Sequence, residues 1–111
     1  MSAHPLIDQE APSAITLKNQ RGEDMDLECI IGQGNPIVLF FYPSDAGWQE
    51  SLPFGVFLKY GAIVIGVSGN QVESHSSFSK RHRIQFDILA DTEGRLRRMY
   101  QVPRTRLGFV P

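Results

Sequence analysis

The chain has 111 residues, 41% of them hydrophobic and 21% charged, which suits one small domain with one core. A net charge of −1 gives no field for attracting nucleic acid or an anionic membrane, so neither is expected as a partner. The single cysteine excludes an intrachain disulfide and a zinc site built from cysteines. Neither a membrane-spanning run nor a signal peptide is recognisable, so we expect a cytoplasmic protein, with diffusion into the nucleus as a further option.

The N-terminal part of the chain predicts a β-hairpin over residues 14–27. Ile15 and Leu17 alternate with polar neighbours, which is typical of a half-buried strand. Residues 19–22 offer the turn, and the alternation then resumes. A short apolar patch, residues 29–31, follows the hairpin.

Two apolar stretches, residues 37–42 and 62–67, predict strands that are buried on both faces. Residues 46–60 between them are predicted to be mostly helical, although Pro53 and Gly55 disfavour a helix interior. Two strands joined through a helical segment form a parallel pair with a right-handed crossover.

A helix, a short strand and a last helix complete the predicted order. Ser68 or Asn70 is expected to cap the first helix, the strand covers residues 86–89, and Asp91 or Thr92 is expected to cap the last helix. The predicted buried faces consist of Val72, His75, Phe78 and Ser79 in the first helix and Leu96, Met99 and Tyr100 in the second. This order of elements predicts a single α/β domain.

Several short motifs together resemble the peroxiredoxins, specifically the bacterioferritin-comigratory or Q type. In chain order they are residues 17–23, residues 38–43 (ending in Tyr-Pro), residues 61–68, residues 73–78, residues 86–91 and residues 100–103. They follow the family's order with nearly its spacing, over most of residues 11–103. The resemblance implies a thioredoxin-like fold that begins with the β-hairpin.

The resemblance also implies a thiol peroxidase that is regenerated by thioredoxin. In the family, a peroxidatic cysteine starts the helix after the Tyr-Pro strand, and its thiolate attacks the peroxide and becomes a sulfenic acid. A second thiol resolves that acid, and thioredoxin restores the reduced enzyme. The helix N-terminus and a nearby arginine favour the thiolate, and hydrogen-bond donors stabilise the charge that develops on the leaving oxygen.

The segment that should carry this chemistry lacks a cysteine. The family motif is Pro, three residues, Thr, two residues, Cys, and only Pro43 is retained. Without a gap, Gly47 stands at the threonine position and Glu50 at the cysteine position; with a gap, Trp48 or a deletion replaces the cysteine. Neither tryptophan nor glutamate can act as the attacking thiolate. We therefore expect no catalytic residue, no cofactor and no metal site in this chain.

The remaining candidates have ordinary structural explanations. Cys29 is predicted to be a small buried apolar side chain, with redox sensing as the alternative. Arg104 and Arg106 lie near the position of the family's arginine but are expected to be solvated. The chain stops where the family has that arginine, so we expect residues 1–111 to form one C-terminally incomplete domain, without the final strand hairpin and helix.

Other polar groups give no reaction by themselves. Asp45 and Glu50 lie where catalysis would occur, but two carboxylates do not define a reaction. His75 and His82 lack companions at metal-ligand spacing, and the basic residues 80–83 are expected to be a solvated helix end rather than a nucleic-acid patch.

Three functions remain open at this point. The first is that of a thioredoxin-dependent peroxiredoxin that reduces hydrogen peroxide and organic hydroperoxides, in a chain that is truncated and inactive. The second is a non-catalytic thioredoxin-fold protein that binds a partner through Trp48 or through the strand Ile37–Phe41, whose open edge predicts self-association. Glutathione peroxidases, which share the fold, match the motifs less well.

Overall fold

A computed structural model of the chain describes residues 11–42, 44–45 and 59–102. Predictions for Pro43, for residues 46–58 of the predicted helix and for Arg104 and Arg106 lie outside the described residues. The described elements are β1 (Thr16–Lys18), β2 (Asp24–Asp26), a 3₁₀ turn (Leu27–Cys29), β3 (Ile37–Phe41), β4 (Ile63–Ser68), α1 (Val72–His82), β5 (Asp87–Ala90) and α2 (Arg95–Met99). Neither helix has the length and apolarity needed to cross a bilayer.

The predicted hairpin is confirmed. β1 and β2 pair antiparallel, with Leu17 opposite Met25. The turn between them is held by the side chain of Asn19, whose Oδ1 accepts hydrogen bonds from the backbone N–H groups of Arg21 and Glu23. Gly22 adopts a φ of 78°, a left-handed conformation that glycine reaches without steric cost.

β3, β4 and β5 form a parallel sheet in that order, which confirms the predicted parallel pair and adds the third strand. β4 is central, and its residues 64–68 are buried. All five residues of β3 are only half-buried, so the prediction that this strand is buried on both faces is wrong. The physical reason is position: β3 is an edge strand of the described sheet. β5 forms the other edge, but the side chain of Gln20 from the hairpin bonds the backbone of Phe86 and Ile88, and residues 88–90 of β5 are buried.

Side chains alternate between the two faces of the sheet, and each face is covered by a different layer. On one face, Ile65 and Leu89 pack with Leu27 of the 3₁₀ turn and Leu96 of α2. On the other face, the core cluster consists of Tyr42, Val64, Phe78, Phe86 and Ile88, with Phe78 contributed by α1. The result is an α/β arrangement with the strands in the middle.

Gly66 in the central strand makes room for an aromatic ring. A Cβ atom added at Gly66 would lie 2.8 Å from Cζ of Phe40, so the ring covers the glycine directly. The ring of Phe40 also has its centroid 5.8 Å from that of Tyr42 and 5.7 Å from that of Phe86. The glycine thus allows an aromatic cluster to form on the face of the sheet that packs against α1.

The two helix starts differ from each other. α1 begins after Gln71, which makes no side-chain capping hydrogen bond, so the prediction of Ser68 or Asn70 as its cap is wrong. At α2, the side chain of Asp91 accepts hydrogen bonds from the backbone N–H groups of Leu96 and Arg97. Asp91 therefore satisfies the first donors of α2 as predicted, although Gly94 occupies the N-cap position.

Candidate functional site

Polar side chains gather where the parallel strands end. Tyr42 follows β3 directly, Ser68 is the last residue of β4, and Asp45 lies three residues beyond Tyr42. In parallel sheets the carboxyl ends of neighbouring strands meet at one edge, and ligand and catalytic sites of α/β proteins usually form there. This edge is therefore the candidate functional site.

Asp45 is the centre of the site. Its side chain is only 5% exposed. The Tyr42 hydroxyl donates to Oδ1 at 2.7 Å and the Ser74 hydroxyl donates to Oδ2 at 2.7 Å. The Nδ1 atom of His75 lies 3.0 Å from Oδ1 and 2.9 Å from Oδ2. One carboxylate thus joins the end of β3 to the first turns of α1.

His75 links this carboxylate to the third strand. Its side chain is 0% exposed, and its Nε2 atom lies 3.2 Å from the carbonyl oxygen of Leu89 in β5. The ring centroid of His75 also lies 6.4 Å from that of Tyr42. Both ring nitrogens therefore face oxygen atoms, one a carboxylate and the other a carbonyl.

The backbone of Asp45 is held from the end of β4. Its N–H group donates to Oδ1 of Asn70 at 2.9 Å. The same Oδ1 atom accepts from the Ser68 hydroxyl at 2.7 Å, and the N–H group of Asn70 lies 3.3 Å from the Ser68 oxygen. The Asn70 side chain is thus committed to Asp45 and Ser68, which explains why it does not cap α1.

The electrostatics of the site favour a charged carboxylate beside a neutral phenol. Burial raises the pKa of Asp45, but the hydrogen bonds from His75, Ser74 and Tyr42 outweigh burial and leave that pKa below its usual value. Burial, together with the adjacent Asp45 carboxylate, raises the pKa of the Tyr42 hydroxyl strongly. No buried side-chain nitrogen or oxygen in the described part of the chain lacks a hydrogen-bond partner. The network can anchor the chain, and it contains no cysteine thiol.

Comparison with known proteins identifies the family. The sequence matches the AhpC/TSA family over residues 53–110, more than half of the chain. The chain belongs to the AhpC/TSA family. Among curated relatives, the chloroplastic peroxiredoxin Q of Populus jackii is 33% identical, in an alignment that covers 92% of this chain and 50% of the relative. The chain therefore spans about half the length of the curated relatives that it matches.

Solved structures agree with this assignment. Peroxiredoxin Q of Xanthomonas campestris superposes with a TM-score of 0.66 at 26% identity, covering 84% of this chain and 64% of that one. The bacterioferritin comigratory protein of the same organism gives 0.68 at 26% identity, covering 90% and 70%. The AhpC/TSA chain described here is thus of the peroxiredoxin Q and bacterioferritin-comigratory type, and the predicted thioredoxin-like fold is confirmed.

The described network lies next in sequence to the segment in which the family resemblance predicts the reactive position. Tyr42 and Asp45 lie on either side of Pro43, the one retained motif residue, which is itself outside the described residues. Gly47, Trp48 and Glu50, the residues weighed for the threonine and cysteine positions, also lie outside them. What the structure adds is that Asp45 itself is held by side chains from β3 and α1 and by Asn70.

The prediction that Cys29 is buried is wrong, because this thiol is exposed. The 3₁₀ turn directs Leu27 into the core and Cys29 outwards. Its Sγ atom lies 3.5 Å from Oδ2 of Asp26. The hydrogen bond to Asp26, the charge of that carboxylate and the charge of Glu28 raise the pKa of the thiol. This environment disfavours the thiolate.

Sequence reasoning placed Asp45 in the loop and His75 on a buried helix face but did not bring them together. It missed Ser74 and the role of Tyr42 entirely. The predicted parallel pairing of the strands could have indicated this contact, because it brings the residues after β3 and the first turns of α1 to the same edge of the sheet. Within the described ranges, no three His, Cys, Asp or Glu side chains are grouped as a metal site would require.

Proposed function

We propose that this protein functions in the thioredoxin-dependent reduction of hydrogen peroxide and organic hydroperoxides, within antioxidant redox homeostasis of the cytoplasm. We further propose that the 111 residues of this chain have no peroxidase activity of their own. Membership of the AhpC/TSA family supports the first part. So does the similarity to the Xanthomonas campestris bacterioferritin comigratory protein, whose structure was described in connection with alkyl peroxide reduction.

The placement of the single cysteine supports the second part. In peroxide reduction, a thiolate sulfur attacks one oxygen, the O–O bond breaks, and the sulfur becomes a sulfenic acid. The other oxygen leaves as hydroxide or alkoxide and takes a proton from solvent to give water or an alcohol. Cys29 lies in the turn before β3, whereas the family's reactive position follows that strand. The carboxylates of Asp26 and Glu28 reduce its thiolate fraction and oppose the negative charge on the leaving oxygen.

A coupled assay tests this proposal directly. The full chain is mixed with thioredoxin, thioredoxin reductase, NADPH and hydrogen peroxide, and NADPH oxidation is followed by absorbance. We expect no rate above the background without the chain, and the same result for Cys29→Ser. Peroxide-dependent turnover at rates ordinary for peroxiredoxins, lost in Cys29→Ser, would contradict the proposed inactivity.

A second candidate function, partner binding without catalysis, is favoured by the exposed edge of β3. The N–H group of Ile63 donates to the carbonyl of Pro36, so the backbone of residues 36, 38 and 40 faces β4. The alternate residues 37, 39 and 41 direct their N–H and carbonyl groups to the other side, where no described strand pairs with them. β3 is uncharged and apolar, and such an edge accepts a further strand.

We propose a second copy of the chain as one occupant of this edge and thioredoxin as a separate, family-derived partner. Sedimentation velocity from low to high micromolar concentration should show a concentration-dependent increase in mass. A monomer of unchanged mass at every concentration would remove the self-association proposal. Because Cys29 is exposed, its thiol can first be oxidised by hydrogen peroxide to a sulfenic acid, with water as the other product. A thioredoxin that lacks its resolving cysteine then attacks this sulfur and releases water, and trapping of the resulting mixed disulfide tests the other partner.

A further inference from the structure

We infer that Asp45 and His75 form a buried ion pair, in which His75 carries a proton on both ring nitrogens, and that this pair positions residues 44–45 at the end of the sheet. The pair lies inside the fold and is separate from any thiol chemistry. The inference therefore stands or falls independently of the proposed peroxidase function.

The first argument is the surroundings of the imidazole ring. Nδ1 faces both carboxylate oxygens of Asp45, and Nε2 faces the carbonyl oxygen of Leu89. A neutral imidazole has one N–H group and one lone pair. In either tautomer, one nitrogen lone pair would face an oxygen lone pair without water between them, which is costly in a buried site. Only the doubly protonated ring donates to both oxygens.

The second argument is that the carboxyl group already acts as an acceptor on both oxygens. The Tyr42 hydroxyl donates to Oδ1 and the Ser74 hydroxyl donates to Oδ2, each at 2.7 Å. A proton on either oxygen of Asp45 would compete with one of these donors. The ionised carboxylate accepts all of them and supplies the counter-charge for His75.

The groups around the pair come from the three parallel strands, from the residues that follow them and from α1. Tyr42 comes from the end of β3, Ser74 from α1 and the Leu89 carbonyl from β5, while Asn70, after β4, holds the backbone N–H of Asp45. Of these, Tyr42 is the one further group that titrates, and its raised pKa keeps it a neutral donor.

The consequence is a positional constraint on residues 44–45. Removing one member of a buried ion pair leaves an uncompensated charge inside the protein. Loss of either Asp45 or His75 therefore destabilises the whole site. Asp45 is the attachment point, because its side chain reaches α1 while its backbone reaches Asn70.

Nitrogen NMR of the full-length chain tests the protonation state. Long-range ¹H–¹⁵N correlation of the histidine rings is recorded at neutral pH, and the His75 signals are assigned by their loss in His75→Gln. We expect both His75 ring nitrogens to be protonated. One protonated and one bare nitrogen in the unaltered chain would overturn the ion pair, and this result needs no variant to fold.

Hydrogen exchange tests the positioning role. In Asp45→Asn, we expect the amide of residue 45 to lose at least about tenfold in protection, more than the amides of β4 lose. The matched control is Asp24→Asn, which removes an exposed carboxylate paired with Lys18 and should leave residue 45 unchanged. Equal protection of residue 45 in Asp45→Asn and the unaltered chain would overturn the positioning role. If Asp45→Asn does not fold, the same comparison is made with Ser74→Ala. We then expect a smaller loss of hydrogen-exchange protection that is confined to the amide of residue 45. Unchanged protection of that amide would overturn the positioning role.

Discussion

Replacing Gly66 with alanine should destabilise the sheet, because the new methyl group would meet the ring of Phe40. The added Cβ would lie 2.8 Å from Cζ and 3.3 Å from both Cε atoms, whereas carbon atoms normally approach to about 3.5–4.0 Å. Withdrawal of the half-buried ring would cost its contacts with Tyr42 and Phe86. Gly66 therefore has a steric reason to be glycine.

The size of the effect follows from two opposing contributions. Overpacking of a well-packed core typically costs about 1–3 kcal/mol. Replacing a glycine inside a strand recovers roughly 0.5–1 kcal/mol, because alanine loses less conformational entropy on folding. We expect the free energy of unfolding to fall by about 0.5–2 kcal/mol in Gly66→Ala.

Urea unfolding followed by far-UV circular dichroism measures this change as a lower midpoint with an unchanged slope. The matched control is Gly69→Ala, whose Cβ would meet its nearest atom, the carbonyl oxygen of Asp91, at an ordinary 3.8 Å. In a Phe40→Leu background the clash is relieved, so Gly66→Ala should become neutral or stabilising there. An equal loss of stability in both backgrounds would refute the steric explanation.

Three further variants test other parts of the molecule. Asp45→Asn should lower the free energy of unfolding by about 3 kcal/mol at neutral pH. Urea titrations over a pH series should show that this difference between the variant and the unaltered chain becomes smaller in acid. Because the pKa of Asp45 is lowered in the folded protein, its carboxylate stabilises the fold above the usual pKa range of aspartate, and this stabilisation is lost as the pH falls through the folded-state pKa. A stability difference that does not change with pH would contradict the ion pair. Gln20→Ala should lower the free energy of unfolding by about 2 kcal/mol or more, because it removes the hydrogen-bond partner of the Phe86 carbonyl and of the Ile88 N–H group. An unchanged midpoint in thermal or urea unfolding would contradict this. Ile37→Pro removes an N–H group that points away from β4, so it should weaken self-association in sedimentation while the far-UV spectrum is retained.

The sequence alone determined the local elements and the family. The alternation of Ile15 and Leu17 identified the hairpin, and the apolar run of β4 identified a buried strand. These predictions succeeded because they depend on side-chain periodicity and on residues that are neighbours in the chain. The peroxiredoxin Q type was identified in the same way, because each of its motifs is a run of adjacent residues and their order along the chain needs no folding to be recognised.

The tertiary structure decided everything that depends on neighbours far apart in sequence. β3 is as apolar in sequence as β4, but its burial depends on its position at the edge of the sheet and on which distant segments cover it. Cys29 lies in an apolar patch, but the 3₁₀ turn directs it into solvent. Asp45 and His75 are separated by 30 positions, so no local pattern predicts that they meet. Only the parallel packing of β3, β4 and α1 brings them together, because it places the ends of distant segments at one edge of the sheet.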